Sequence, residues 1–301
     1  MIKWKKIGLI IKPKKNTYWM KTHCMVPTPV LLSNGIVKVF FSGRDESNIS
    51  YIGYALVDLK SNGQIISYSK DPILYPGRLG CFDDNGVTPS CVLNLGNNEM
   101  ALYYIGWNPG STVRVNLFGG LAISKDGGNS FERWSEAPIL ERTKTDPFMN
   151  TAPWVVKNGN KYIMYYVSGH SWINKDFPKY NIKIAFSKDG KNWERNGKVC
   201  LDFKDTSENA LARPYVLFDN NAWKMWFSYK VDRYLIGYAE SNNGIDWDRK
   251  RNESVINLSR NGFDSEMIEY ASVLKYENRY YMFYNGNNYG ADGIGLAIEE
   301  R

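Results

Sequence analysis

Thr151-Ala-Pro-Trp-Val-Val-Lys157, followed by Lys161-Tyr-Ile-Met-Tyr-Tyr166, is one copy of a phrase that this chain repeats. The other copies read VPTPVLL from Val26, TPSCVLN from Thr88, ARPYVLF from Ala212 and EYASVLK from Glu269. One column is valine throughout: Val30, Val92, Val155, Val216 and Val273. The spacings are 62 (92−30), 63 (155−92), 61 (216−155) and 57 (273−216) residues. A steady period of this length marks a stacked supersecondary unit, because a lone unit has nothing against which to bury its apolar faces. Equivalent positions then converge on one axis, and residues that break the repeat there are the ones a ligand would shape.

A second apolar, aromatic run follows each valine, as in Ile36–Phe41, Met100–Ile105, Trp223–Phe227 and Tyr280–Tyr284. Connectors such as Ser33-Asn-Gly35 and Asn158-Gly-Asn160 are turn residues, so each pair reads as a hairpin. A third run carries small residues: Ile52-Gly-Tyr-Ala55, Gly120-Leu-Ala122, Ile184-Ala-Phe186, Ile236-Gly-Tyr-Ala239 and Ile294-Gly-Leu-Ala297. Turns such as Ser187-Lys-Asp-Gly190 lead to a fourth run, for example Trp193–Leu201. The fifth copy has no fourth run, but Trp4-Lys-Lys-Ile-Gly-Leu-Ile-Ile11 fits its pattern. The expected fold is all-β: a five-bladed β-propeller of four-stranded antiparallel blades, its ring closed by the N-terminal strand.

A chain of 301 residues has room for two ordinary domains, yet the repeat runs throughout and predicts one domain over residues 1–301. Aromatics make up 15% of the chain, enough to pack the units together and leave a surface for sugar stacking. The net charge of +7 is dispersed, apart from Lys12-Pro-Lys-Lys15 and Arg249-Lys-Arg251, which favours solvated edges over a nucleic-acid face. No run approaches the ~20 apolar residues of a membrane span, and Ile7–Ile11 is too short for a leader. Cys24, Cys81, Cys91 and Cys200 lack CxxC spacing, which points to reduced thiols in a cytoplasmic protein. With only His23 and His170, no zinc site is expected, and no Walker or GxGxxG motif opens a helix, so no metal or cofactor is called for.

Just before the valine phrase the copies read Lys21-Thr-His23, Asp83-Asp84-Asn85, Asp146-Pro-Phe148, Ser207-Glu208-Asn209 and Asp264-Ser-Glu266. Carboxylates crowded round an axis shift one another's pKa, which yields one ionised base and one protonated acid. Each aspartate is also open to a plainer role as an Asx turn or cap. Arg213 stands where other copies have Pro or Ala, and needs a carboxylate or a ligand. Arg44 ends a second run and is either a binding residue or a surface partner of Asp45 or Glu46. Glu269 and Tyr270 replace small or apolar residues, while Trp107 and His170 end second runs as candidates for a stacking rim. Thr151 opens the third copy of the phrase and joins the candidate substrate-binding set with Asp83 and Asn85.

Five repeats, acids before the first strands, and the phrases Thr151–Val155 and Lys161–Tyr166 together resemble the five-bladed glycosidase superfamily. It includes glycoside hydrolase families 43 and 32 and the mannoside phosphorylases of family 130. Phe40-Phe-Ser-Gly-Arg-Asp45 with Ile52-Gly-Tyr-Ala55 is also similar to uncharacterised relatives associated with bacterial surface-polysaccharide gene sets. The family 43 pattern implies Asp84 as base, Asp146 as the aspartate that tunes the acid, and Glu208 as acid, separated by 62 (146−84) and 62 (208−146) residues. The first copy has His23 where the family begins its triad, so the assignment is moved on by one copy, and Asp83 competes with Asp84. Some relatives hold calcium in the channel, but no ligand spacing here supports one.

The resemblance implies displacement at an anomeric carbon, inverting if the carboxylates lie ~6.5–9.5 Å apart and retaining nearer ~5 Å. Arg44 and Arg213 would bind a sugar carboxylate or inorganic phosphate. Three functions stay open: a glycoside hydrolase or phosphorylase acting on an oligosaccharide or glycoconjugate, a sugar-transferring enzyme of capsule or O-antigen synthesis, and a carbohydrate-binding propeller without chemistry.

Overall fold

The structure, a computed structural model, describes residues 2–250 and 254–300, so Arg251 of the basic cluster at 249–251 lies outside the described residues. The strands come in sets of four. After β1 (Trp4–Ile11), the first unit pairs β2 (Cys24–Leu31), β3 (Ile36–Arg44), β4 (Ser50–Asp58) and β5 (Gln64–Tyr68) in that order. The second unit comprises β6 (Val87–Gly96), β7 (Glu99–Pro109), β8 (Val115–Ser124) and β9 (Glu132–Arg133). The third is β10 (Asn150–Asn158), β11 (Lys161–Asn174), β12 (Phe177–Ser187) and β13 (Val199–Leu201). The fourth is β14 (Ala210–Asp219), β15 (Ala222–Lys230), β16 (Tyr234–Ser241) and β17 (Asp248–Arg249). Every pairing within a unit is antiparallel.

The last unit has β18 (Glu269–Tyr276), β19 (Arg279–Asn285) and β20 (Ile294–Glu299), with one helical turn, α1 (Asn287–Gly290), between the last two. Its fourth strand is β1, antiparallel to β20 with Trp4 opposite Glu299 and Ile11 opposite Ile294. First strands adjoin first strands: β2 lies against β6 and β18, β10 against β6 and β14, and β14 against β18. The fold is therefore nearly all-β and propeller-like. The fourth run expected at Trp193–Leu201 is shorter, a single bridge at Glu194 and then Val199–Leu201. Gly197, at φ +80°, turns the chain between them.

Small residues in the third strands have a steric cause. Phe41, Tyr104, Phe227 and Tyr284 on second strands stand opposite Gly53, Gly120, Gly237 and Gly295. A Cβ on Gly120 would lie 2.3 Å from the Tyr104 ring, and one on Gly237 2.4 Å from Phe227, so the ring occupies the space a side chain would fill. The third unit breaks this rule, placing Lys183 opposite Tyr166. Neighbouring units are tied by second-strand side chains that reach the next unit's turn: Lys38 Nζ to Gly127 O at 2.9 Å, Tyr103 Oη to Gly190 O at 2.8 Å and Tyr165 Oη to Gly244 O at 2.7 Å. The turns themselves are pinned by Ser187 Oγ on Asp189, and by its equivalents Ser124 on Asp126 and Ser241 on Asn243.

Candidate functional site

The acids before the first strands are engaged within their own units. Asp83 is fully buried and accepts from Tyr104 Oη at 3.0 Å and Arg133 Nε at 2.9 Å. Asp146 accepts from Tyr166 Oη at 2.9 Å and Lys183 Nζ at 2.7 Å, with Arg195 Nη1 at 3.6 Å. Asp264 repeats the pattern with Tyr284 Oη at 2.8 Å and Lys6 Nζ at 2.5 Å. In the fourth unit, where phenylalanine replaces that tyrosine, Glu208 takes both Arg249 Nη atoms at 2.8 Å each and the Lys204 amide at 2.8 Å. Each ion pair ties the entry loop to a later strand of its unit: the fourth for Asp83, Glu208 and Asp264, and the third for Asp146, which explains the lysine in the glycine column at Lys183.

The structure gives each member of the triad expected from sequence partners of its own. Asp84 is half-buried and accepts from the Gly80 amide at 2.8 Å, as a turn residue does. Asp146 is held by Lys183, Tyr166 and Ser168 and Glu208 by Arg249 and the Lys204 amide, and no hydrogen bond or ion pair joins the three. The shared column of acids is matched by cations in the fourth runs (Arg133, Arg195, Arg249, Lys6), and Asp146 also holds Lys183 of the third strand β12. Asn85 sits in the same turn region, its amide donating to Trp107 O. His170 is exposed, bonded to Ser171 and edge-on to Phe203 at 6.1 Å, away from the groups described next.

A different cluster draws on all five units. Arg44, at the end of β3, has its guanidinium 5.8 Å from the Trp107 ring and donates to Asn48 Oδ1 at 2.8 Å. Neither Asp45 nor Glu46 pairs with it: Asp45 caps its own turn and accepts from Tyr51, and Glu46 holds Lys21. Arg44 Nε is buried without a hydrogen-bond partner. Burial lowers the Arg44 pKa; Tyr270 opposes this and the nearby Arg114 charge adds to it. His23 is close too, its pKa pushed down to about 4 by burial and by Arg44. From the third and fourth units come Tyr180 and Tyr234, whose hydroxyls are hydrogen-bonded to each other, and Lys230, 5.4 Å from the Tyr234 ring.

Glu269 opens β18 in this company. It is fully buried, and neither carboxylate oxygen has a hydrogen bond among the described residues. Burial raises its pKa well above the ordinary carboxylate range; the Tyr270 hydroxyl, near but outside hydrogen-bond geometry, and Lys230 oppose this only in part. Tyr270 is raised by burial and then by Glu269, Tyr180 and Tyr289, so the tyrosines and Glu269 form one neutral, acidic set beside two arginines. Of the residues singled out from sequence, Arg44, Trp107, Glu269 and Tyr270 meet here. Arg114, Tyr180, Tyr234 and Tyr289 were missed, since they lie at strand ends and loops outside any repeated phrase.

The backbone beneath this cluster is strained. Val26, Ala152, Arg213 and Tyr270 adopt φ of 52°, 48°, 50° and 56°, each inside a β-bulge of a first strand. Left-handed geometry costs a non-glycine residue on the order of 1–2 kcal/mol, and bulges re-aim side chains. Here they turn the first strands' side chains at the point where the units meet. Thr151 is buried with its hydroxyl unpartnered, and Arg213 is only 1% exposed, which shuts it off from any sugar at the surface.

No protein-family model matches the chain. An uncharacterised protein of Mycobacterium tuberculosis (strain ATCC 25618 / H37Rv), Rv1502, is 37% identical over 298 residues, covering 99% of each chain. The β-1,2-mannobiose phosphorylase of Thermoanaerobacter sp. (strain X514) is 29% identical over 103 residues, 34% of this chain and 33% of its own. A solved glycoside hydrolase superposes with a TM-score of 0.80 at 19% identity, over 100% of this chain and 93% of its own. A structure from work on the GH130 family of mannoside phosphorylases, and on glycoside hydrolases within it that target β-1,2 mannosidic linkages, gives 0.72 at 15% identity, over 96% and 90%. At such identities the likeness is one of fold.

Proposed function

The chain belongs to the family of mycobacterial Rv1502 and to the five-bladed β-propeller glycosidase superfamily, and from that premise we propose that it acts on a glycosidic bond at the Glu269 cluster. Its five four-stranded units are the blades of one domain, with β1 closing the ring. The observation that carries the reading is Glu269, a buried carboxyl with neither oxygen hydrogen-bonded among the described residues, in a tyrosine cluster on which Arg44 and Arg114 also act. Burial raises the Glu269 pKa well above the ordinary carboxylate range, which favours the protonated form that a general acid requires. That proton passes to the glycosidic oxygen as the anomeric C–O bond breaks, and an oxygen nucleophile forms the new bond.

Arg44 and Arg114 supply positive charge for an anion, either phosphate as nucleophile or a carboxylate on the sugar. The neighbouring tyrosines and Trp107 offer stacking faces. With Asp83, Asp146, Glu208 and Asp264 held in ion pairs, a single buried acid at Glu269 favours phosphorolysis, since phosphate is its own nucleophile while water needs a base. The test is turnover of β-1,2-mannobiose and a panel of aryl glycosides, with and without phosphate. Glu269→Gln is expected to remove turnover, and Glu208→Gln and Asp146→Asn to retain it in the folded fraction. The opposite pattern would restore the Asp84–Asp146–Glu208 triad.

The ion-paired acids also favour a second reading, a carbohydrate-binding propeller without chemistry. Sugar binding that persists in Glu269→Gln, with no turnover by the unaltered chain on any substrate of the panel, would select it.

A further inference from the structure

Arg213 lies where the five first strands meet. Its Nη2 donates to Pro27 O at 3.1 Å and Thr28 Oγ1 at 3.0 Å from the first unit and to Ser272 Oγ at 3.2 Å from the last. The guanidinium is 5.5 Å from the Trp154 ring of the third unit, and Cys91 of the second acts on it electrostatically. Every oxygen that it touches is neutral. Nε and Nη1 are buried and have no partner. Burial brings its pKa down to about 10, so it stays protonated at neutral pH.

The titratable groups that act on it are Cys91, Tyr215 and Tyr270. Burial pushes Cys91 up to about 12 and raises both tyrosines, so all three are uncharged at neutral pH. The Cys91 thiol is already committed to Val155 O at 3.4 Å. Among the described residues no acid pairs with this enclosed positive charge, a situation that costs several kcal/mol unless a counter-charge is present. Two further donors point the same way. Ser90 and Thr151, at 0% and 4% exposure, have hydroxyls without partners. Both lie in the first-strand bulges of the second and third units, the bulge that also carries Arg213 in the fourth.

We propose that the propeller axis holds a small monovalent anion of the halide class, bound by Nε and Nη1 of Arg213 and by the Ser90 and Thr151 hydroxyls. Its size follows from the burial of Arg213, which leaves no path for a sugar phosphate. The anion offsets the buried guanidinium and so locks all five first strands to one point. It also sets the axis against a cation.

The inference stands apart from the glycosidic reading and is tested without activity. The full chain in gluconate is titrated with chloride or bromide at constant ionic strength while Tm is followed. Both halides should raise Tm by a few degrees along a saturating curve, and crystals grown in bromide should show an anomalous peak within hydrogen-bond distance of Arg213. Arg213→Met should remove the halide dependence. Should that variant not fold, Ser90→Ala and Thr151→Val should each weaken halide affinity several-fold. Equal Tm in gluconate and halide with no bromide at Arg213, the result if water alone fills the site, overturns the proposal. So does a halide response unchanged in the variants.

Discussion

Glu269 and Glu208 are both buried glutamates on or beside first strands, and their surroundings treat them differently. Glu208 is clamped by Arg249 through two 2.8 Å bonds, so Glu208→Gln leaves a guanidinium enclosed with a poorer acceptor. The expected loss is about 3–5 kcal/mol in urea denaturation. Glu269 has no such clamp, and burial holds its proton. Its native pKa is raised above the unfolded value, so the folded chain binds the extra proton between about 4.5 and that raised pKa. Stability from this group is therefore full below about pH 4.5 and lost as pH rises through the native pKa, at up to about 1.4 kcal/mol per pH unit. Glu269→Gln should be free of that decline, and its advantage over the unaltered chain should widen with pH when both are unfolded in urea at stepped pH.

Within strands, a second-strand ring faces a third-strand glycine in four of the five units and fills the space that a side chain would take at Gly120 and Gly237. Gly237→Ala would set a Cβ 2.4 Å from the buried Phe227 ring, whose centroid already lies 5.1 Å from the Arg249 guanidinium. A loss of about 1–3 kcal/mol is expected. Lys183 is the exception in this column, and its partner Asp146 supplies the reason. The first strands show the limit of such reading. Their phrases fixed strand and period, but the bulges at Val26, Ala152, Arg213 and Tyr270 leave no signature, since none uses the glycine that left-handed backbone favours.

Across the assembled units, β1 is the strand that completes the last sheet, antiparallel to β20. Deleting residues 1–11 would expose the edge of β20 and strip Lys6 from the buried Asp264. We expect the shortened chain to self-associate on size-exclusion chromatography and to lose its near-ultraviolet dichroism, because an open edge recruits another strand. A monomeric shortened chain with unchanged spectra would refute closure by β1.

The repeat, the hairpins, the turns and the match of residues 4–11 to the incomplete last unit were all legible in order along the chain, because strand and turn formation is governed by neighbours a few residues apart. So were Arg44, Trp107, Glu269 and Tyr270 as departures from the pattern. Which acids are free was not. Asp83 and Arg133 are 50 residues apart, Glu208 and Arg249 41, and Lys6 and Asp264 258, so their charges meet only once the sheets have formed. A carboxylate's chemistry depends on what neutralises it, and for these residues that partner is chosen by packing rather than by sequence spacing.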